Sequence, residues 1–191
     1  MQELEPYYLW REYYSVEDDE NSPYYGKEYN EFQYSNTIYN YYIHPQWDEF
    51  GSATLYLKII YADYQEGFVV IEFIGEWNDC IYNDIMFLKR EIIDHLAGNG
   101  IKKFILIGEN VLNFHSGDDD YYEEWFDELD EGWIAGINFR DHVEQEMTSG
   151  RIDQYILMGQ PLNNMNWRKL KPKVLFETIE MLFNRRLAMP S

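Results

Sequence analysis

The chain has 191 residues, 46% of them hydrophobic, which is enough apolar surface for one α/β domain with its own core and argues against general disorder. Thirty-five acids against 15 bases give a formal net charge of −20. That argues against a nucleic-acid backbone or an anionic membrane as the main partner, since both would be repelled, and it leaves basic protein surfaces open. The single cysteine, Cys80, has no partner for an internal disulfide, and no Cys-His zinc spacing occurs.

The opening residues Met1-Gln2-Glu3-Leu4-Glu5 are acidic and lack the apolar core of a signal peptide. The longest apolar runs, such as Phe104 to Ile107, are far too short to span a bilayer, so the expected compartment is the cytoplasm. Fourteen of the 18 tyrosines fall within residues 1–64. Residues 1–34 carry nine acids and two bases with tyrosine pairs at 7–8, 13–14 and 24–25, and show neither helical nor strand periodicity. The expectation is an arm lying along a surface, rings packed and hydroxyls wet, although composition alone also fits a poorly ordered tail. Residues 35–191 form the expected domain.

Thr37 to Ile43 is rich in β-formers and reads as one strand ending at His44-Pro45. Thr54 to Tyr61 and Phe68 to Ile74 follow, joined by the turn Gln65-Glu66-Gly67, and are expected to form an antiparallel hairpin. Ile81, Ile85, Leu88, Ile92 and Leu96 then recur along one helix face, with Asn78 or Asp79 to cap its start and Gly98-Asn99-Gly100 to end it. Phe104-Ile105-Leu106-Ile107 suits a strand covered on both faces, so strand, helix and strand predict a βαβ unit with 68–74 parallel to 102–107. Beyond it the pattern predicts a helix over 119–129, a short strand or helix lead-in over 134–139 and a short helix over 141–147. A buried strand over 154–158 comes next, and the last helix opens at Pro172 and runs to about Leu187. The expected fold is α/β or α+β: a mixed sheet, antiparallel in its N-terminal part and parallel in its C-terminal part, with three to four helices.

Familiar catalytic motifs are absent: no phosphate-binding glycine loop, no Gly-x-Ser-x-Gly, no His-Glu-x-x-His. His115 stands just ahead of Asp118, Asp119 and Asp120. Imidazole and carboxylates can hold a divalent ion, but acids in a first helical turn have a sufficient reason in the helix dipole, so no metal and no cofactor are expected. His142, Glu144 and Glu146 sit in an ordinary amphipathic pattern, and Cys80 beside Asp79 reads as a small buried residue. Residues 109–131 hold ten acids and no lysine or arginine, whereas 168–186 hold six bases and two acids. Solvated charge explains both runs, and mutual pairing, within one molecule or across a dimer, is the alternative. The tryptophans are explained as core or edge aromatics. Trp77, Trp125, Trp133 and Trp167 also lie next to turns or charged residues, where indoles can line a cleft.

One resemblance rests on two short motifs. Phe73-Ile74-Gly75-Glu76 leads into a helix, a buried strand follows at 103–107, and Val111-Leu112-Asn113-Phe114-His115-Ser116-Gly117 opens the next helix. This order resembles the STAS domain family of anti-sigma-factor antagonists and their SpoIIAA-like relatives, over roughly residues 52–187. The resemblance implies a non-enzymatic protein-binding role, with Ser116 at the position that antagonist members phosphorylate. His115 stands where that family has a first serine, its aspartate is missing, and Asp118-Asp119-Asp120 replace the apolar residues that follow the glycine. A phosphate there would face three carboxylates. The expected binding residues are therefore His115, Ser116 and Gly117, with Trp77, Trp125 and Trp133 as cleft candidates. The expected partner is a protein or a second copy of the chain, not nucleic acid or membrane. An enzyme with a cleft around His115 and Asp118–Asp120, or a subunit of a homo-oligomer, is the alternative.

Overall fold

A computed structural model describes residues 2–34 and 36–189, so the expected domain limits at 35 and 191 fall outside the described residues. Three short strands, β1 (Gln2–Leu4), β2 (Asn36–Ile38) and β3 (Tyr41–Ile43), form a small sheet in the order β1-β3-β2. The main sheet has four strands in chain order: β4 (Leu55–Asp63), β5 (Phe68–Asn78), β6 (Lys103–His115) and β7 (Trp133–Ile137). β4 and β5 are antiparallel, while β5–β6 and β6–β7 are parallel. Asp63 Oδ1 accepts the Gln65 and Glu66 N–H groups, and Gly67 supplies the positive φ of 73° that closes this hairpin.

Side-chain alternation separates two cores. Val69, Ile71, Phe73, Phe104 and Leu106 point into one layer, whereas Phe68, Val70, Ile105 and Ile107 point into the other. The first layer is roofed by a helix in three parts, α1 (Asp84–Phe87), a π-helical stretch (Leu88–Ile93) and α2 (Asp94–Gly98), and by α3 (Asp120–Glu128) and α4 (Asp141–Ser149). The second is closed by α5 (Pro172–Ala188), through Leu175, Phe176 and Ile179, and by Trp10 and Trp167. The architecture is therefore α/β, with a mixed sheet between helical layers.

The N-terminal residues straddle the edge strand β4. Trp10 is buried in the second core, its ring edge-on to Tyr7 and Trp167 and its Nε1–H donating to the Leu170 carbonyl at 3.2 Å. Val16 is buried in the first core, with Tyr14, Tyr24 and Tyr29 packed against it. The Tyr14 and Tyr64 hydroxyls both donate to Asp19 Oδ2 at 2.6 Å. A covered edge strand no longer offers unpaired backbone to other chains.

Several element limits differ from the sequence pattern. Residues 37–43 are a hairpin and not one strand: Tyr39 adopts φ 51°, and β2 turns back antiparallel on β3. The helix after β5 starts at Asp84, leaving Ile81 outside the apolar stripe. Asp79 still caps it from six residues away, its Oδ1 accepting the Ile85 N–H at 2.8 Å. Residues 111–115 continue β6 and do not open a helix. Residues 152–154 are a 3-10 turn, followed by a single bridge from Leu157 to Ala135 that takes the place of the expected strand. The acidic and basic runs meet at Glu109, which pairs with Arg168, while Glu124 and Glu128 turn to Arg90 and Lys89.

Candidate functional site

The carboxyl ends of β5 and β6 extend past the amino-terminal ladder and carry polar side chains. In register, Glu76 lies opposite Asn113, Trp77 opposite Phe114, and Asn78 opposite His115. Trp77 and Phe114 turn into the core, with ring centroids 5.9 Å apart. Period-two alternation puts Glu76, Asn113 and His115 on the other side. Glu76 Oε1 lies 3.6 Å from His115 Nε2 and accepts from Asn78 Nδ2 at 3.3 Å, and Asn113 Nδ2 is 3.4 Å from the same imidazole nitrogen. The Tyr39 hydroxyl, brought in by the β2–β3 turn, donates to Glu76 Oε2. That bond pushes the Tyr39 hydroxyl pKa upward, because it stabilises the protonated phenol. The Glu76 backbone is itself fixed: its N–H donates to the Thr54 carbonyl at 3.0 Å, and its carbonyl accepts from Thr54 Oγ1 at 2.8 Å. Gly75, at φ 119°, permits this approach, since a Cβ there would overlap the Thr54 carbonyl.

Loop 79–83 stands beside this group and is held from both sides. The Asp79 and Cys80 N–H groups donate to the His115 carbonyl at 2.9 and 3.3 Å, and the Ile81 N–H donates to Asn78 Oδ1 at 2.9 Å. The buried Asp79 carboxyl accepts from Tyr122 Oη at 2.5 Å, from the Ile85 N–H and from Trp77 Nε1 at 3.0 Å, yet burial still pushes its pKa up to about 7. Asn83 then takes φ 51°, and Asp84 Oδ2 accepts the Asn78 N–H at 2.8 Å. So anchored, the loop holds Cys80, Ile81 and Tyr82 in solvent, with Ile81 73% and Tyr82 45% exposed.

His115, Ser116 and Gly117 lie together here. Gly117 lets the two loops touch, because a Cβ would stand 2.8 Å from the Asp79 carbonyl oxygen. The half-buried Ser116 donates its hydroxyl to Glu146 Oε1 at 3.0 Å, so a phosphate on it would meet a carboxylate. Among the described residues no hydrogen bond joins the Cys80 thiol or the Ser116 hydroxyl to the His115 imidazole, so neither has an imidazole base. Of the acids after His115, Asp119 pairs with Arg151 at 3.3 Å and Asp118 and Asp120 are exposed. The carboxylate that approaches His115 is Glu76.

The three tryptophans lie elsewhere, fully buried. Trp77 packs on Phe73, Trp125 stands edge-on to Phe104 at 5.1 Å, and Trp133 stacks with Phe176 at the amino end of β7. As placed they fill the two cores, where burial of an indole among apolar neighbours holds the helices on the sheet. A cleft of about 450 Å³ does open nearby, bounded by Tyr39, Asn40, Tyr41, Leu112, Asn113 and His142. His142 Nε2 lies 2.9 Å from the Leu112 carbonyl, which can only accept, so this nitrogen donates. Sequence reasoning missed Tyr39, Asn113 and the pairing of Glu76 with His115; the alternation Glu76-Trp77-Asn78 was the available signal.

Among the described residues the group with metal-ligand spacing is Glu3, Glu5 and His44, whose ligand atoms lie within 4.8 Å of one another. His44 Nδ1 accepts the Gln46 N–H at 3.1 Å. His44 Nε2 faces the two glutamates at 3.7 and 3.5 Å. No helix of the described residues is long and apolar enough to cross a membrane.

No family model matches the chain, and no curated protein matches it. Among solved structures, that of the anti-sigma factor antagonist SpoIIAA in its unphosphorylated form is similar, at 10% identity and a TM-score of 0.42. The match covers 71% of this chain and 99% of that one, and it is a likeness of chain path alone.

Proposed function

We propose that the chain is a non-enzymatic protein-interaction or regulatory module of the cytoplasm, with its contact surface at the carboxyl ends of β5 and β6. The observation that carries this reading is the exposure of Ile81 and Tyr82 on a loop whose backbone is anchored at Asp79, Cys80 and Ile81. Solvating two large apolar side chains forgoes roughly 1.5–3 kcal/mol each that burial would supply, and a rigid loop presents them to a partner at little ordering cost. His115, Ser116 and Gly117 form the floor next to them. Tagged parent and Ile81→Asp/Tyr82→Ser chains, purified from the native host, test the reading. The parent is expected to retain a stoichiometric protein that the variant loses, with both chains melting at the same temperature. Retention of the same protein by the variant would overturn it.

One observation favours a second reading, self-association as a dimer: α5 leaves Val174, Met181 and Leu187 exposed along its length. Sedimentation of the parent beside Met181→Glu decides it. A parent that stays monomeric at every concentration removes this reading.

A further inference from the structure

We propose that the cleft beside Glu76 receives a lysine or arginine side chain from a basic segment of the protein partner, the cation seated on Glu76 and its stem lying across the Tyr39 ring. This rests on the interaction reading above and names the partner's chemistry.

The first observation is a charge without a matching cation. Several buried or half-buried acids of this chain have basic partners: Asp48 has Lys27 at 2.7 Å and Lys58 at 3.5 Å, Glu72 has Arg168 at 4.0 Å, and Glu109 has Arg168. Asp79 and Asp84 are held by neutral donors but are buried out of a ligand's reach. Glu76, with only 18% of its side chain exposed, has neutral donors on both oxygens and a single imidazole at 3.6 Å. Among the described residues no lysine or arginine reaches it. A partly desolvated carboxylate in that setting gains from an incoming ammonium or guanidinium.

The second observation is the shape around it. Tyr39 is 58% exposed although its backbone adopts the left-handed conformation, which is unfavourable for a tyrosine. Its hydroxyl is pinned to Glu76, so the ring stands as a fixed wall of an open cleft that Asn113 and His142 also line. An aromatic wall next to a carboxylate is the setting in which a cation is bound through charge and through the ring face together. Anions are excluded by the same carboxylate and by the chain's net charge of −20, which also steers a basic partner toward the surface. A protein segment fits better than a free amine, because the exposed Ile81 and Tyr82 follow directly on Asp79 and Cys80, whose N–H groups bond the His115 carbonyl, and offer apolar contact that only a longer ligand can use at once.

Fluorescence anisotropy at physiological ionic strength tests this with a labelled peptide of lysine and leucine, its glutamine-for-lysine counterpart, and cadaverine as competitor. The lysine peptide is expected to bind and the glutamine peptide not. Glu76→Gln and Tyr39→Ala should each weaken binding about tenfold or more, whereas Asp127→Asn, on the exposed face of α3, should leave it unchanged. Glu76→Gln keeps a carbonyl oxygen for the Tyr39 hydroxyl, and circular dichroism matching the parent shows that the fold is intact. No binding by the lysine peptide, or equal weakening by Glu76→Gln and Asp127→Asn, overturns the proposal. Competition by cadaverine as strong as by unlabelled peptide overturns the assignment to a protein segment. If the native partner is still lost in Ile81→Asp/Tyr82→Ser but unaffected by Glu76→Gln, only this inference fails and the interaction reading stands.

Discussion

The two halves of the β5–β6 pair do different work with the same backbone. From Phe68 to Glu72 the strand runs in unbroken register with Lys103 to Ile107, and nearly every side chain on either face is buried. Beyond Glu72 the register slips twice, between Glu72 and Ile74 and between Gly75 and Glu76, and the outward residues become Glu76, Asn113 and His115. Each slip bends a strand and re-aims the side chains after it. Regular pairing serves burial, and irregular pairing frees polar groups at the carboxyl ends, where open α/β sheets present their binding residues.

If that contrast is right, the regular half carries the stability. Phe104→Ala removes a fully buried ring from the contact with Trp125 and is expected to cost about 3–5 kcal/mol in urea unfolding. Leu112→Ala, half-buried in the irregular half, should cost well under half of that. Equal losses at the two positions would dissolve the distinction between the halves.

The next effect is pH-dependent. Glu72 ends the regular half on the second face, where burial pushes its carboxyl up to about 7 against an ordinary value near 4.5. The Tyr7 N–H, donated at 2.8 Å, pulls the other way, as does Arg168, while Glu109 adds to the rise. The folded state holds this proton more tightly than the unfolded chain does. Stability from Glu72 is therefore full below about pH 4.5 and is lost as pH rises through about 7. The full loss is roughly 3 kcal/mol by linkage. Asp79, also raised to about 7 by burial, acts in the same direction. Unfolding midpoints should fall between about pH 5 and pH 8, and Glu72→Gln should remove a large part of that slope. An unchanged slope in Glu72→Gln would show that the carboxyl is ionised in the folded state across the range.

How far these features could be read in advance follows the same division. The βαβ unit was legible because Ile85, Leu88, Ile92 and Leu96 form a stripe and Phe104–Ile107 an unbroken run, both consequences of burial. The reach of β6 to His115 was not, because the register slips break the period-two pattern among Glu109, Asn110 and Asn113. The turn at Tyr39 was hidden by its own residue type: left-handed backbone is signalled in sequence by glycine or asparagine, and here a tyrosine adopts it. His115, Ser116 and Gly117 could be singled out locally, but the carboxylate beside His115 lies 39 residues away in sequence and only the parallel pairing of β5 with β6 brings it close.

The smallest expected effect is at Tyr39 and is the sharpest test of whether the irregular half is shaped for binding. Left-handed backbone costs a non-glycine residue about 1–2 kcal/mol, which Tyr39→Gly relieves. The substitution also forfeits the hydrogen bond from the hydroxyl to Glu76, worth about 0.5–1.5 kcal/mol, and adds backbone freedom to the unfolded chain at about 0.4–1 kcal/mol. These contributions nearly cancel, and with the ring 58% exposed little packing is lost. Tyr39→Gly should thus leave the unfolding free energy within about 0.5 kcal/mol of the parent. A ring kept at a strained position without a return in stability is kept for what it touches outside the fold. A destabilisation of about 2 kcal/mol or more would show instead that the ring is a structural clasp between the small sheet and β5, and that its exposure has no bearing on a ligand.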